Sequence, residues 1–183
     1  DAGEDHRRRD HYPHPERLMM VWVYNPQQGF DKDVAPYPTF TDWRNQSRSF
    51  EHLAAYFGAS VTLTGSGDPT QLRGARVTAS FFPTLNVQPA LGRWFTAHDE
   101  AAGHERVVIL EDGLWQARFG SDSTIVGRTI QLSGQPYEVV GIMPPGFQYP
   151  TDATFWLPLA PVEPYKEFMQ ARGPHWLNVI GRL

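Results

Sequence analysis

The sequence predicts an α+β fold built from short helices and strands. Between Gly127 and Leu159, a run of alternating polarity, the turn pair Ser133-Gly134 and a second β-rich run predict a hairpin followed by one more strand. Upstream of the hairpin, residues 106–110 predict a buried strand and residues 112–120 a capped helix. The 16 glycines and 16 prolines favour many turns over long helices.

The chain begins with a segment that contains almost nothing apolar. Residues 1–17 mix acidic residues with arginines and histidines, which predicts a solvated linker or a remnant of cloning. The alternative is a metal site made by His6, His11 and His14, because imidazoles bind zinc. A structural zinc site needs a fixed geometry, and a charge-mixed segment is a poor source of it. We therefore prefer the linker.

A strand, a loop and a helix are predicted next. Residues 18–24 are apolar on both faces, which predicts a central strand, and residues 25–35 predict a polar loop. Tyr37-Pro38 marks a helix start, because proline is tolerated in the first helical turn. The predicted packing stripe of this helix consists of Phe40, Trp43, Ser47 and Phe50.

Two further strands, 53–64 and 71–78, are joined by the segment Gly65-Ser66-Gly67-Asp68-Pro69. This joint fits neither a phosphate loop nor a nucleophile elbow, because no Gly-Lys-Ser/Thr follows and Gly-x-Ser-x-Gly is not formed. It therefore predicts a hairpin turn. Residues 79–86 then predict a short helical segment that buries Phe81, Phe82 and Leu85.

One run carries the titratable side chains that could hold a cation or perform acid–base chemistry. Its members are His98, Asp99, Glu100, His104 and Glu105. Their spacing fits no zinc or calcium signature, and flanking alanines and glycines give no apolar wall that would shift a pKa. A solvated loop is preferred, with His98, Asp99 and His104 as the metal candidates of this run. No catalytic residue, cofactor or cofactor-binding residue is predicted.

The helix over 112–120 and the hairpin are expected to pack together. Asp112 is predicted to cap the helix, Gly120 to close it, and Arg118 to snorkel from its inner face. The helix is expected to contribute Leu114, Trp115 and Phe119 to this contact, and the hairpin Ile130, Leu132 and Val139 or Val140. Residues 163–171 predict a short helix, and residues 177–183 begin a strand.

Composition excludes several classes of function. A net charge of −4 argues against a general nucleic-acid binder, because phosphate contacts need a basic face. With no cysteine, the chain has no disulfide, thiolate metal site or cysteine nucleophile. No apolar run approaches the roughly 18 residues of a membrane span, and no signal peptide is visible, so the chain as given is expected to be soluble.

A series of short blocks, specific in its order and spacing, extends from about Pro13 to the last residue. The blocks are Pro15-Glu16-Arg17-Leu18 with Trp22, Tyr37-Pro38 with Phe40, Asp42-Trp43-Arg44, Ala75 and Val77 with Ser80-Phe81-Phe82, Leu91-Gly92-Arg93 with Phe95, Asp99-Glu100, Val107-Val108-Ile109-Leu110, Leu114-Trp115, Arg118-Phe119-Gly120-Ser121-Asp122, Ile125, Gly127-Arg128-Thr129-Ile130, Val139-Val140-Gly141-Ile142-Met143-Pro144 and Phe155-Trp156-Leu157-Pro158-Leu159. Together they resemble the MacB-like periplasmic core domain of FtsX-like ABC transporter permeases. They are most similar to the duplicated orphan permeases of Acidobacteria.

The resemblance implies a two-lobed α+β domain. A porter-like βαβ lobe would combine residues 18–88 with 161–183, and a smaller mixed α+β lobe, called Sabre, would be inserted as residues 89–160. In the family the porter-like lobe continues through another helix and strand, so residues 161–183 are expected to be a truncated return to it. Residues 1–17 would be the linker or remnant.

The resemblance also implies a function. Such domains lie on the periplasmic face of the bacterial cytoplasmic membrane and are non-catalytic. They couple cytoplasmic ATP hydrolysis, performed by a separate nucleotide-binding domain or chain, to periplasmic movement or efflux by mechanotransmission. The implied partners are membrane helices of the same permease, an ABC ATPase, and a second permease copy or a periplasmic adaptor, but no nucleic acid.

The alternative is a periplasmic ligand-binding module that recognises a lipid, peptide or glycan between the lobes. It predicts a concave site in which the aromatic faces of Trp22, Trp43, Trp94 or Trp156 are exposed. An enzyme is the third hypothesis, and it would require His98 or Asp99 to act in hydrolysis. The sequence contains no Walker loop, in agreement with a nucleotide site located elsewhere.

Overall fold

The computed structural model describes residues 13–183, except for the side chains of residues 25, 28, 30 and 31. Most of the predicted linker, with His6 and His11 of the alternative metal site, lies outside these residues. The helices are α1 (Tyr37–Gln46), α2 (Phe81–Leu85), α3 (Asp112–Phe119) and α4 (Lys166–Gln170). The strands are β1 (Leu18–Val21), β2 (Val23–Asn25), β3 (Phe30–Asp33), β4 (His52–Thr64), β5 (Thr70–Val77), β6 (Leu91–Gly92), β7 (Val107–Leu110), β8 (Thr129–Leu132), β9 (Gln135–Ile142), β10 (Phe155–Pro158) and β11 (Asn178–Arg182). The predicted α+β class is confirmed.

The chain divides into two compact units. Unit 1 consists of Asp1–Phe57, Ser80–Val87 and Ala160–Leu183, and unit 2 consists of Gly58–Ala79 and Gln88–Leu159. Strand β4 therefore begins in unit 1 and ends in unit 2. Residues 58–79 were expected in the porter-like lobe and lie in unit 2, while the assignment of porter-like and Sabre-like lobes to these units stays a prediction.

The sheet of unit 1 places β11 between β1 and the first half of β4, with both pairings antiparallel. Among the described strands, β1 pairs only with β11. The prediction of one central strand over 18–24 is therefore wrong, because β1 is an edge strand that ends at Val21. A continuous apolar run marks a strand without saying how many neighbours the strand has.

The polar loop predicted over 25–35 is also wrong. Strands β2 and β3 form a separate antiparallel hairpin, in which Val23 pairs with Asp33. Most residues of β3 are polar, so this strand lacks the alternation of apolar and polar residues by which a half-buried strand is recognised. The hairpin is recognised by its backbone pairing, and such pairing leaves little signal in the sequence.

Helix α1 starts at Tyr37 as predicted, with Pro38 in its first turn, and Phe40 is fully buried. The helix ends earlier than the predicted stripe requires. Ser47 is the residue after the last turn, and its Oγ accepts the N–H of Ser49 at 3.3 Å. Such a local bond competes with helix continuation, and Phe50 lies beyond the helix. The prediction for α2 is confirmed, since Phe81, Phe82 and Leu85 are all buried.

Strand pairing in unit 2 closes on itself. The second half of β4 pairs with β5, which is followed in the circuit by β10, β7, β9 and β8, and β8 returns to β4. The returning contact pairs Leu63 with Leu132 and Thr64 with Gln131. The N–H of Ser133 adds a bond to the carbonyl of Thr62 at 2.9 Å. These strands therefore form a small barrel, which has no free edge along this circuit.

The barrel encloses the hydrophobic core of unit 2. Strand β8 alternates exposed and buried residues, so that Ile130 and Leu132 point inward. The buried members of this core are Val61, Leu63, Leu72, Val108, Leu110, Leu114, Ile125, Ile130, Leu132, Val139, Ile142, Phe155 and Leu157. Trp115 and Phe119 of α3 pack against it. The predicted contact of the hairpin with α3 is confirmed, with Val139 rather than Val140 as the core member.

The N-terminal end of α3 is capped by a different residue from the one predicted. Glu111, not Asp112, is the N-cap, and its Oε2 accepts the N–H of Leu114 at 2.8 Å. The C-terminal end is closed by Gly120 with φ 58°, as predicted. The two acidic residues are adjacent in sequence, and a shift of one position in the helix start decides which of them caps it.

Arg118 does not snorkel along the core. Its guanidinium donates to the carbonyl of Ser66, to the carbonyl of Asp68 at 2.8 Å and to Oγ1 of Thr70. Ser66 Oγ donates in return to the carbonyl of Arg118 at 3.2 Å. Arg118 thus holds the turn between β4 and β5, the segment whose glycines suggested a phosphate loop.

Gly74 lies at a close approach between two strands of the barrel. A Cβ at this position would lie 2.3 Å from the carbonyl oxygen of Phe155 on β10. It would also lie 2.7 Å from two ring carbons of the same phenylalanine. Only glycine fits there while β5 and β10 keep this spacing.

We expect Leu132→Asp to unfold unit 2. Leu132 is 1% exposed and lies at the contact that closes the barrel. Burying an unpaired carboxylate there should cost more than about 4 kcal/mol. Urea unfolding followed by circular dichroism measures this loss.

The matched control for this change is Gln131→Asp, which adds the same charge on the exposed face of β8. It should cost less than about 1 kcal/mol. A Leu132→Asp protein that melts like the wild type would contradict the assigned core face.

Candidate functional site

The run that carries the metal candidates forms a short 3₁₀ turn, Ala97–Glu100, and the loop that follows it in unit 2. Thr96 and Asp99 make a reciprocal capping box at its start, where Asp99 Oδ2 accepts the N–H of Thr96 at 2.7 Å. Arg93 Nη1 donates to the same oxygen at 2.8 Å, and Nη2 donates to Oδ1 at 3.3 Å. Asp99 is 2% exposed. Its carboxylate is therefore engaged in holding the turn.

Two opposing effects set the pKa of Asp99. Burial raises the pKa of this carboxyl, but hydrogen bonds from Arg93 and Thr96, together with the arginine's charge, outweigh burial and leave the pKa below its ordinary value. The same ion pair raises the pKa of Arg93. A carboxyl held ionised in this way is a structural anion at neutral pH, rather than a base ready to accept a proton.

The two histidines of the run lie close to each other and are exposed. Their ring centroids are 4.0 Å apart, with the ring planes tilted by 40°. The acidic neighbours bond to the backbone, since Glu100 accepts the N–H of Ala79 and Glu105 accepts the N–H of Gly103 at 2.6 Å. Within residues 13–183, no group of three or more histidine, aspartate or glutamate side chains could hold a metal ion. The structure brings His98 and His104 together without a third ligand.

A surface cavity of about 330 Å³ lies beside this turn in unit 2. Its lining consists of Gly92, Arg93, Val126, Gly127, Glu138, Val139 and Val140. The polar side chains in the lining are one arginine, already paired with Asp99, and the exposed carboxylate of Glu138. The lining thus combines two exposed glycines and three valines with one ion-paired cation and one carboxylate, and it contains no nucleophile or imidazole.

The tryptophans named for the ligand-binding alternative differ in exposure. Trp156 is fully buried, and its indole N–H donates to the carbonyl of Tyr149 at 2.9 Å. It therefore presents no face to a ligand. Trp22 is 39% exposed, while Trp43 and Trp94 are partly exposed.

Sequence reasoning missed the arginines that organise these units. Arg93 fixes Asp99, Arg118 fixes a turn, and Arg182 is only 3% exposed in β11. A signal for the first was present in the sequence, because Thr96 and Asp99 have the spacing of a capping box. For Arg182 the signal was an arginine within an apolar strand, where a charge calls for a buried partner.

The sequence profile described as MacB-like periplasmic core domain matches residues 2–183. The chain belongs to this family. No curated protein matches the sequence. No helix among the described residues combines the length and the apolar character that a membrane span requires.

Solved structures share the fold of the family. The periplasmic region of MacB from Actinobacillus actinomycetemcomitans is 14% identical with a TM-score of 0.67, covering 99% of this chain and 78% of its own. The extracellular domain of the noncanonic ABC-type transporter YknZ from Gram-positive bacteria is 15% identical, with a TM-score of 0.62 and coverages of 90% and 82%. A domain of a putative permease protein from Porphyromonas gingivalis is 13% identical, with a TM-score of 0.71 and coverages of 94% and 77%. At these identities the likeness shows the fold.

We expect Asp99→Ala to destabilise the domain by about 1 to 2 kcal/mol at pH 7, because it removes a cap and the anchor of Arg93. A carboxyl whose pKa is lower in the folded state contributes stability above its unfolded pKa of about 3.9. That contribution is lost as pH falls through the folded pKa. The difference between variant and wild type should therefore shrink toward about pH 2, as measured by urea unfolding at both pH values.

The neighbouring variant His98→Ala serves as the control. It removes an exposed ring and should change the free energy of unfolding by less than about 0.5 kcal/mol at pH 7. If Asp99→Ala cost the same at both pH values, the carboxylate's charge would not be what fixes the turn.

Proposed function

We propose that this chain is a non-catalytic extracytoplasmic domain that couples cytoplasmic ATP hydrolysis to movement outside the membrane. The ATPase lies on another domain or chain, and the domain passes movement to substrate or to an efflux partner. Its partners are the membrane helices of the same permease, the ABC ATPase, and a second permease copy or a periplasmic adaptor. Family membership supports this proposal.

The observation that carries the mechanical role is the closed barrel of unit 2. A circuit of paired strands around a close-packed core resists deformation, because any local opening breaks backbone bonds and exposes apolar side chains together. A part that passes movement needs this stiffness, whereas an enzyme needs converging reactive groups. The carboxylates of the run around Asp99 bond to one arginine and to backbone amides instead.

The ligand-binding alternative rests on the exposed aromatic side chains. Trp22 and Tyr24 are 39% and 69% exposed in unit 1, and amphipathic rings of this kind are frequent in recognition surfaces. The two functions differ in what drives movement of the domain. In the coupling role the domain moves in response to ATP turnover, and in the ligand-binding role it moves in response to added ligand.

Fluorescence energy transfer in the parent permease distinguishes the two functions. The chain contains no cysteine, so Arg48→Cys in unit 1 and Ala117→Cys in unit 2 can be labelled specifically in a parent freed of other cysteines. Both positions are exposed. We expect transfer efficiency to change reversibly during ATP turnover in reconstituted vesicles, because the permease and its ATPase move this domain.

The control pair Ala117→Cys with Gln135→Cys lies entirely in unit 2 and should show no change. An ATPase with a disabled nucleotide site should abolish the response of the first pair. A response to lipid, peptide or glycan without ATP would favour the ligand-binding module. Transport that continues with no ATP-dependent change in transfer would contradict the coupling role.

A further inference from the structure

Arg182 is a buried cation held by backbone carbonyls. It is 3% exposed in β11, where its neighbours Val179, Ile180 and Gly181 are also buried. Its Nε–H donates to the carbonyl of Thr84 at 2.6 Å, and Nη2 donates to the carbonyl of Leu85 at 3.1 Å. Nη1 reaches the carbonyl of His14 at 3.5 Å, the outer limit of a hydrogen bond.

Burying a guanidinium costs desolvation free energy, which a residue with only a packing role would not need to lose. Burial, followed by the positive charge of Arg17, lowers the pKa of Arg182 against the opposing effect of Glu51 and Glu16. No ion pair among the described residues includes it, so its direct partners are neutral carbonyls, and Glu51 and Glu16 act on its charge only from a distance. An apolar side chain of similar volume would avoid the desolvation of a guanidinium. We therefore ask what the hydrogen bonds of Arg182 to Thr84 and Leu85 connect.

One end of this connection is the pair of strands β1 and β11. They run antiparallel, and Leu18 is paired with Arg182. The N–H of Leu183 donates to the carbonyl of Arg17 at 3.0 Å. Tension applied at Leu18 and Arg182 would open this pair of strands one residue pair after another, and Leu18–Arg182 would be the first pair to open.

The other end of the connection is α2. Thr84 and Leu85 are its last two residues, and the C-cap N–H of Asn86 bonds to Phe82 and Pro83 instead, which leaves the carbonyls of Thr84 and Leu85 to Arg182. The helix belongs to Ser80–Val87 of unit 1, which the chain joins to stretches of unit 2 on both sides. Arg182 therefore links the β1–β11 pair of unit 1 to a segment that is covalently continuous with unit 2 in both directions.

We propose that Arg182 is a positioning residue that fastens α2 to the β1–β11 pair, so that tension on this pair reaches Ser80–Val87 before the strands separate. The proposal rests on the coupling role given above and names the contact that would carry it. The guanidinium is suited to this task, because its planar donors reach two successive carbonyls at once. A lysine ammonium has a single nitrogen and cannot span them in the same way.

Hydrogen exchange of the 183-residue chain tests the fastening. The amides of Thr84 and Asn86 bond within α2, to Ser80 and Phe82 at 2.9 and 2.7 Å. In Arg182→Met we expect both amides to exchange about tenfold faster or more, because hydrogen bonds from a charged donor are lost. Arg182→Lys should give a similar acceleration and retains the charge, so it stands in if the methionine variant does not fold.

The matched control is Arg48→Met, which removes an exposed arginine of unit 1. Its α2 amides should exchange as in the wild type. Unchanged exchange in Arg182→Lys and Arg182→Met would overturn the fastening, whatever the outcome of the energy-transfer experiment. If these amides exchanged as in the wild type in Arg182→Lys but faster in Arg182→Met, a positive charge would be sufficient and bonding to two carbonyls would not be needed. That result would also overturn the proposal.

Pulling on single molecules by the two ends of the chain tests the response to force. In the wild type and in Arg48→Met, β1 should stay paired until α2 also yields, giving one release. In Arg182→Met and Arg182→Lys we expect β1 to separate first and at lower force, giving two releases. A single release in every variant would contradict the proposal. Failure of energy transfer to respond to ATP, with these results intact, would instead contradict the coupling role.

Discussion

Closure of the strand pairing in unit 2 is the constraint on which the rest of that unit depends. Strand β8 is bonded to β9 along its length and reaches β4 through only two residue pairs. Those pairs include Leu63 and Leu132, both almost completely buried. The short contact that completes the circuit is therefore also part of the apolar core, and sheet closure and core packing stabilise each other.

Charged side chains in this domain fix the ends and turns of its elements. Arg93 and Asp99 hold the 3₁₀ turn after β6, Glu111 begins α3, and Arg118 binds the turn between β4 and β5. Each of these groups has a backbone partner, which compensates the loss of water on burial. The residues that looked most like a metal or acid–base cluster are, in this respect, the same kind of feature as a helix cap.

The sequence predicted those parts of the fold that depend on residues close together in the chain. Alternation identified β8, the turn at Ser133-Gly134 identified its hairpin, and φ angles of 49° and 77° at these two residues agree with a tight two-residue turn. Prediction failed where the outcome depends on distant residues. The run that begins at Leu18 is an edge strand because, among the described strands, it pairs only with β11, which is distant in sequence.

The candidate site likewise has features that neighbouring residues predict and features that depend on distant residues. The role of Asp99 was readable from Thr96 three positions earlier, although its ion pair with Arg93 required the structure. An arginine within an apolar strand indicated that Arg182 needs a buried partner, but the sequence did not identify that partner. Its acceptors are the backbone carbonyls of residues 84 and 85, and every residue has such a carbonyl. Family resemblance supplied what local patterns could not, since the order of many short blocks reflects the whole fold.

Gly74 has a consequence for comparing relatives of this domain. The obstacle to a side chain there is the main-chain oxygen of Phe155, which no substitution at position 155 can remove. Evolution cannot compensate a larger residue at 74 by a smaller one across the strand, as it can for two side chains in contact. A relative with a side chain at the equivalent position must therefore have altered the spacing or register of β5 and β10, so this single column of an alignment would report on barrel geometry.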